Sequence, residues 1–165
     1  MPRRDSTGPA TLSVLDRLID RDPKTRSEAP LSRAQSLREL KSALKRDLEW
    51  LLNTRRTIEP APEAARETTR SVYHYGFADI SSKSLLSARD QSDLVRDMES
   101  AIATFEPRLK RARVRMEPVE GSYRTLKFVI EGLLCMDPTP EPVRFDTVLE
   151  MGKGEYEVKG TDLAQ

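Results

Sequence analysis

The sequence predicts an α+β domain, with N-terminal helices packed on one face of a small, mainly antiparallel sheet of three to four strands. Three observations predict it. Apolar residues recur at helical spacing as far as Phe105. Beyond Leu109 they alternate with charged residues, the period of a strand with one buried face. The change of period falls at a single proline corner, Glu106-Pro107-Arg108.

The elements follow in order. Residues 1–10 mix Pro, Gly, Ser and charge, and read as lacking fixed structure. Ser13 and Asp16 form a capping-box pattern that opens a short helix at about residues 13–20. Its apolar face is Val14, Leu15, Leu18 and Ile19, and Asp22-Pro23 stops it. A helix this short is not stable alone, so the face must dock on the domain or in a partner's groove. The polar stretch from Arg21 to Pro30 reads as a linker. Residues 1–30 are therefore an N-terminal arm, and residues 31–165 a single domain.

Ser36 and Glu39 form a second capping-box pattern, which opens a longer helix. Leu37, Leu40, Leu44, Leu48, Leu51 and Leu52 lie on or beside its core face. Arg38, Lys41, Lys45, Arg46 and Glu49 lie opposite, and Trp50 reads as a core plug. Ile58 to Pro62 is a break. A short helix from Glu63 to Tyr73 ends at Gly76, and a loop runs on to Ser87. The next helix begins between Ser87 and Ser92 and carries Leu94, Met98, Ile102 and Phe105 on one face. Pro107 biases Glu106 away from helical geometry and ends it.

Strand patterns follow. Ala112, Val114 and Met116 alternate with Arg111, Arg113 and Arg115, and Gly121 makes a turn. Leu126, Phe128, Ile130 and Leu134 alternate with Thr125, Lys127 and Glu131. After Pro138, Pro140 and Pro142, the residues Val143, Phe145, Thr147 and Leu149 alternate with Arg144, Asp146 and Glu150. Gly152-Lys153-Gly154 reads as a hairpin turn into a last short strand with Tyr156 and Val158.

Composition narrows the function. The chain has 165 residues, enough for one domain, and 28 basic against 27 acidic residues. That balance lacks the basic excess of a dedicated nucleic-acid binder. The three alternating arginines read as a solvated face, or as partners of acids such as Glu131. Cys135 is the only cysteine, which excludes an internal disulfide and fits a reducing compartment. No segment has a signal-peptide core or the ~20 apolar residues needed to span a bilayer, so a cytoplasmic protein without membrane insertion is expected. His74, the only histidine, sits in no metal-ligand or catalytic pattern, and no cofactor is expected.

Four segments carry a family likeness. Met98-Glu99-Ser100-Ala101-Ile102-Ala103-Thr104-Phe105-Glu106-Pro107-Arg108-Leu109 resembles an Ile-Glu-x-x-Ile-x-x-Phe-Glu-Pro-Arg-Leu run. Leu12 to Leu18, and Arg46 to Arg55 with its Leu51-Leu52-Asn53-Thr54-Arg55 end, are also similar. Ser71 to Gly76 resembles a Ser-Val-Leu-Asn-Tyr-Gly run and departs from it at Tyr73 and His74. On these residues the chain resembles the gene-25-like family of phage baseplate proteins, which includes the TssE subunits of type VI secretion systems.

The resemblance implies a structural wedge subunit with a sheath-handshake-like sheet, assembled at the cytoplasmic side of the cell envelope. It implies that Glu106, Pro107 and Arg108 help join wedge partners of the TssF and TssG kind. It also implies that the sheet accepts strands from the first ring of the contractile sheath and helps start sheath polymerisation. Val143, Phe145, Thr147, Tyr156 and Val158 are the candidates for the sheath-facing strands. The equivalent subunit of a phage-derived contractile particle would share these marks.

A peptidoglycan-cleaving, lysozyme-like enzyme is the alternative of a different class. It would need two carboxylates across a cleft, one with its pKa raised. Arg108 beside Glu106 is expected to lower that carboxyl instead, and no catalytic residue is predicted.

Overall fold

The structure, a computed structural model, describes residues 12–19, 32–59, 61–62, 64–79, 87–117, 125–137, 139–150 and 154–161. The expected disordered start, the 21–30 linker, the Asp22-Pro23 stop, the turn at Gly121 and most of the 152–154 turn lie outside these residues.

Among the described residues, helices α1 (Val14–Leu18), α2 (Arg33–Asn53) and α3 (Ala88–Phe105) precede a four-stranded sheet. Its strands are β1 (Leu109–Glu117), β2 (Thr125–Leu134), β3 (Glu141–Glu150) and β4 (Glu155–Thr161), in the order β1-β2-β3-β4 and antiparallel throughout. This is the expected α+β arrangement. In place of the expected Glu63–Tyr73 helix are two short 3-10 turns, Arg66–Arg70 and Val72–His74.

The start of α2 differs from the reading. Its N-cap is Ser32, in a full capping box with Gln35. Ser36 lies inside the helix, and its hydroxyl is buried without a partner among the described residues. The start of α3 is capped by Ser87 Oγ, which accepts from Asp90 N.

α2 packs on β4 and α3 on β1. Leu44, Leu48 and Leu51 of α2, with Leu94, Met98 and Ile102 of α3, are fully buried against Phe128, Ile130, Leu149 and Val158 of the sheet. β1 buries two residues in this core, Leu109 and Val114. Five residues apart, these would face opposite sides of a regular strand. A bulge between Lys110 and Arg113, with Arg111 at φ 54°, inserts one residue and turns both inward.

The other face of the sheet is a lattice of charges. Lys127 bridges Glu117 and Asp146, Arg115 pairs with Glu131 at 2.6 Å, and Arg144 bonds Asp146 at 3.1 Å. The arginine strand is thus partly paired with acids, as expected of a structural face.

Two readings are corrected. Trp50 is no core plug: it is 53% exposed, because it points off the outer side of α2, where Arg46 lies over its ring at 5.0 Å. β3 cannot be a sheath-accepting edge, because it is paired along its length with β2 on one side and β4 on the other. Val143, Phe145 and Thr147 are buried in the core layer.

Candidate functional site

The helix-to-sheet corner gathers charge from three elements. α3 ends where Glu106 N donates to Ile102 O at 2.8 Å, and Pro107 forces the chain to turn. Leu109 N then donates to Glu106 O, and Cys135 N to Arg108 O, so the corner is stitched to the end of β2. Glu106 is 6% exposed, whereas Pro107 faces solvent. Arg108 Nη2 donates to Glu106 Oε2 at 2.7 Å and to Asp47 Oδ2 of α2 at 2.6 Å. Asp47 Oδ1 in turn accepts from Arg46 Nε at 2.8 Å, and Arg46 Nη1 donates to Asp16 Oδ1 of α1 at 2.8 Å. One relay of alternating charges therefore runs Glu106–Arg108–Asp47–Arg46–Asp16 and ties α1, α2 and the corner together.

Burial decides the electrostatics at its inner end. It raises the Glu106 carboxyl above its ordinary value, and the Arg108 bonds only partly offset this. The expectation of a lowered value is thereby corrected: desolvation outweighs the ion pair. Arg108 and Arg46 are both held more firmly protonated by their carboxylate partners. At the outer end, burial would raise Asp16, but bonds from Ser13 and Arg46 outweigh it and hold the carboxyl below its ordinary value.

A raised carboxyl is the direction a general acid needs, but the geometry does not suit a glycosidase. One nitrogen of Arg108 sits between Glu106 and Asp47, where a sugar and water would have to be. Among the described residues no group of three or more His, Cys, Asp or Glu could hold a metal ion. No helix among them is long and apolar enough to cross a membrane.

The predicted docking face of α1 points outward. Val14, Leu15, Leu18 and Ile19 are 45–76% exposed, and the buried residue of this helix is Asp16. α1 is thus moored by its charge, with its apolar stripe left bare. Of the predicted strand residues, Tyr156 and Val158 lie on β4, at the end of the sheet. Their side chains are buried.

The sequence reading passed over four residues that join elements. Asp47 and Arg46 complete the relay. Asn53 of α2 closes part of the β4 edge: its Nδ2 donates to Tyr156 O and its Oδ1 accepts from Tyr156 N, each at 2.8 Å. Glu99 of α3 does the same at β1, accepting from Val114 N at 2.9 Å. All four lie inside segments that carried the family likeness, which was the available signal. Tyr75, of the Tyr-Gly turn, packs edge-on against Phe105. Gly76 holds φ 111°, where a Cβ would strike Thr54 O. His74 stacks edge-on with Tyr73.

A helical layer locked to a four-stranded antiparallel sheet through a charged corner defines an α+β domain. A family model described as baseplate wedge protein gp25 matches residues 38–139, and the chain belongs to that family. No curated protein matches the chain. Membership indicates a baseplate wedge subunit, a structural component. The match takes in most of α2, the corner and β2, while β3 and β4 lie beyond it.

Proposed function

We propose that this chain is the TssE-like wedge subunit of a type VI secretion baseplate. It joins TssF- and TssG-kind partners to the first sheath ring and gives sheath polymerisation its starting register. It does so without catalysis, on the cytoplasmic side of the envelope. The observation that carries this reading is the family match across α2, the corner and β2. The equivalent part in a phage-derived particle uses the same surfaces.

Each surface has a distinct part. Glu106 and Asp47 hold Arg108 through Nη2, while its buried Nη1 has no partner among the described residues, so the pair fixes Pro107 and the corner backbone in one shape for wedge partners. The bare stripe of α1 in the N-terminal arm docks in an apolar groove of a partner, as an amphipathic helix does. The β4 edge faces the sheath, where main-chain hydrogen bonds make the join.

Co-expression with the neighbouring wedge subunits tests the reading, with complex mass measured by light scattering after size exclusion. A stable hetero-complex is expected, lost in Glu106→Ala and Arg108→Ala variants that remain folded. Failure of the unaltered chain to form any complex would reject the wedge assignment. Clearing of a cell-wall suspension by the pure protein would overturn the absence of catalysis. Leu15→Asp with Leu18→Asp should remove the arm's contribution and leave the domain folded.

A further inference from the structure

We propose that the β4 edge takes an extended acidic segment of a partner protein, paired to Val158 and Gly160 and stopped at Tyr156 by Asn53. This rests on the reading of β4 as the sheath-facing edge, and it names the chemistry of the strand that edge accepts.

The backbone comes first. In an antiparallel ladder, alternate residues turn both N–H and C=O to the same side. Tyr156 gives both groups to Asn53, away from β3. Val158 and Gly160, two and four residues on in the same register, turn theirs the same way. Neither has a bonding partner on that side among the described residues. Asn53 therefore fills the edge at one position, and the two positions beyond it are open to an incoming strand.

The side-chain layer beside those positions is incomplete. Gly160 shares its face with Tyr156 and Val158, yet a Cβ built on it meets nothing within 4 Å. The space is a groove of about 350 Å³ bordered by Val143 and Phe145. A residue of an added strand would fill what Gly160 leaves empty.

Charge then selects the strand. The groove is rimmed by Arg38, Lys41 and Lys45 of α2, with no carboxylate among the described residues that line it. Among the described residues no acid pairs with Arg38, Lys41 or Lys45. The other end of the same edge is mainly acidic: Glu49, Glu150, Glu155 and Glu157, against the single Arg55, line the hollow around Asn53 and Tyr156. An acidic segment is drawn to the Gly160 end and repelled at the Tyr156 end, which fixes where it stops.

The test uses the full chain and two short fluorescent peptides, one alternating Val with Asp and one alternating Val with Lys, read by anisotropy. The Val/Asp peptide should bind and the Val/Lys peptide should not. Lys41→Glu with Lys45→Glu should weaken binding by at least about tenfold. Gly160→Leu, which fills the groove from within, should abolish it with an unchanged circular dichroism spectrum. Asn53→Ala, which frees Tyr156, should tighten it. Equal binding of both peptides, binding by neither, or indifference to both the Gly160 and the lysine variants would overturn the proposal. Co-assembly of the Gly160→Leu chain with sheath subunits would likewise overturn this site while leaving the sheath reading intact. No co-assembly of the unaltered chain would reject the sheath reading itself.

Discussion

Two glycines mark the difference between the ends of this molecule. Gly132, on β2 beside the corner, sits under Leu109, whose Cδ1 would lie 2.7 Å from an added Cβ. Gly160, on β4, has open space in the same direction. Charge follows the same division. At the corner every carboxylate of the relay meets a guanidinium of its own chain. At the β4 edge Arg38, Lys41 and Lys45 meet none among the described residues. The carboxylates of the corner are all paired within the chain, so it transmits shape. The edge is internally incomplete, so it is where a partner can add energy.

The comparison breaks most sharply at Arg108. Arg108→Ala leaves Glu106 buried against Asp47 without a counter-charge and should cost about 3–5 kcal/mol in urea unfolding, the range for removing one partner of a buried pair. Arg108 is about a quarter exposed, so the lower part of that range is expected. No change would mean that the corner is a surface ion pair and the contrast is false.

Gly132→Ala should come next, at about 1–3 kcal/mol, because Leu109 must shift in a packed layer. Gly160→Ala is its control and should stay within about 0.5 kcal/mol, since nothing is displaced. Equal losses at the two sites would remove the distinction between a closed corner and an open edge.

Between these two in size lies a pH effect. Glu106 has a raised folded-state pKa, so its stabilising contribution is full below its ordinary value of 4.5 and is lost as pH rises through the folded value. The advantage of the unaltered chain over Glu106→Gln should therefore shrink as pH rises above 4.5, read by chemical unfolding. Asp16 runs the other way. Its contribution is present above its ordinary value of 3.8 and is lost as pH falls through the lower folded value. Hydrogen exchange in α1 should accordingly accelerate in acid before the core does, and Asp16→Asn should bring that acceleration to neutral pH.

Much of the fold was legible in order along the chain. The switch of apolar period at Pro107 separated helices from strands, and alternation picked out the inward residues of β2, β3 and β4, which are buried except for the half-buried Leu126. These are local properties, set by chain geometry and by one-sided burial. The same patterns misled where a residue had two possible partners. Ser36 with Glu39 matches a capping box as well as Ser32 with Gln35 does, and only the full capping bonds at Ser32 chose between them. Trp50 is apolar enough for a core, yet α2 turns it outward, because Leu48, Leu51 and Leu52 already fill the face toward the sheet.

The sequence by itself determined the α+β class, the family and the position of the corner, because each is written in spacing and in short contiguous runs. Tertiary structure alone decided three things: that Glu106 is buried enough for desolvation to outweigh Arg108, that β3 is interior while β4 is an edge, and that Asn53 reaches across to Tyr156, 103 residues away. Each depends on which distant groups the fold brings together and which it leaves in water, and no local pattern encodes that distance.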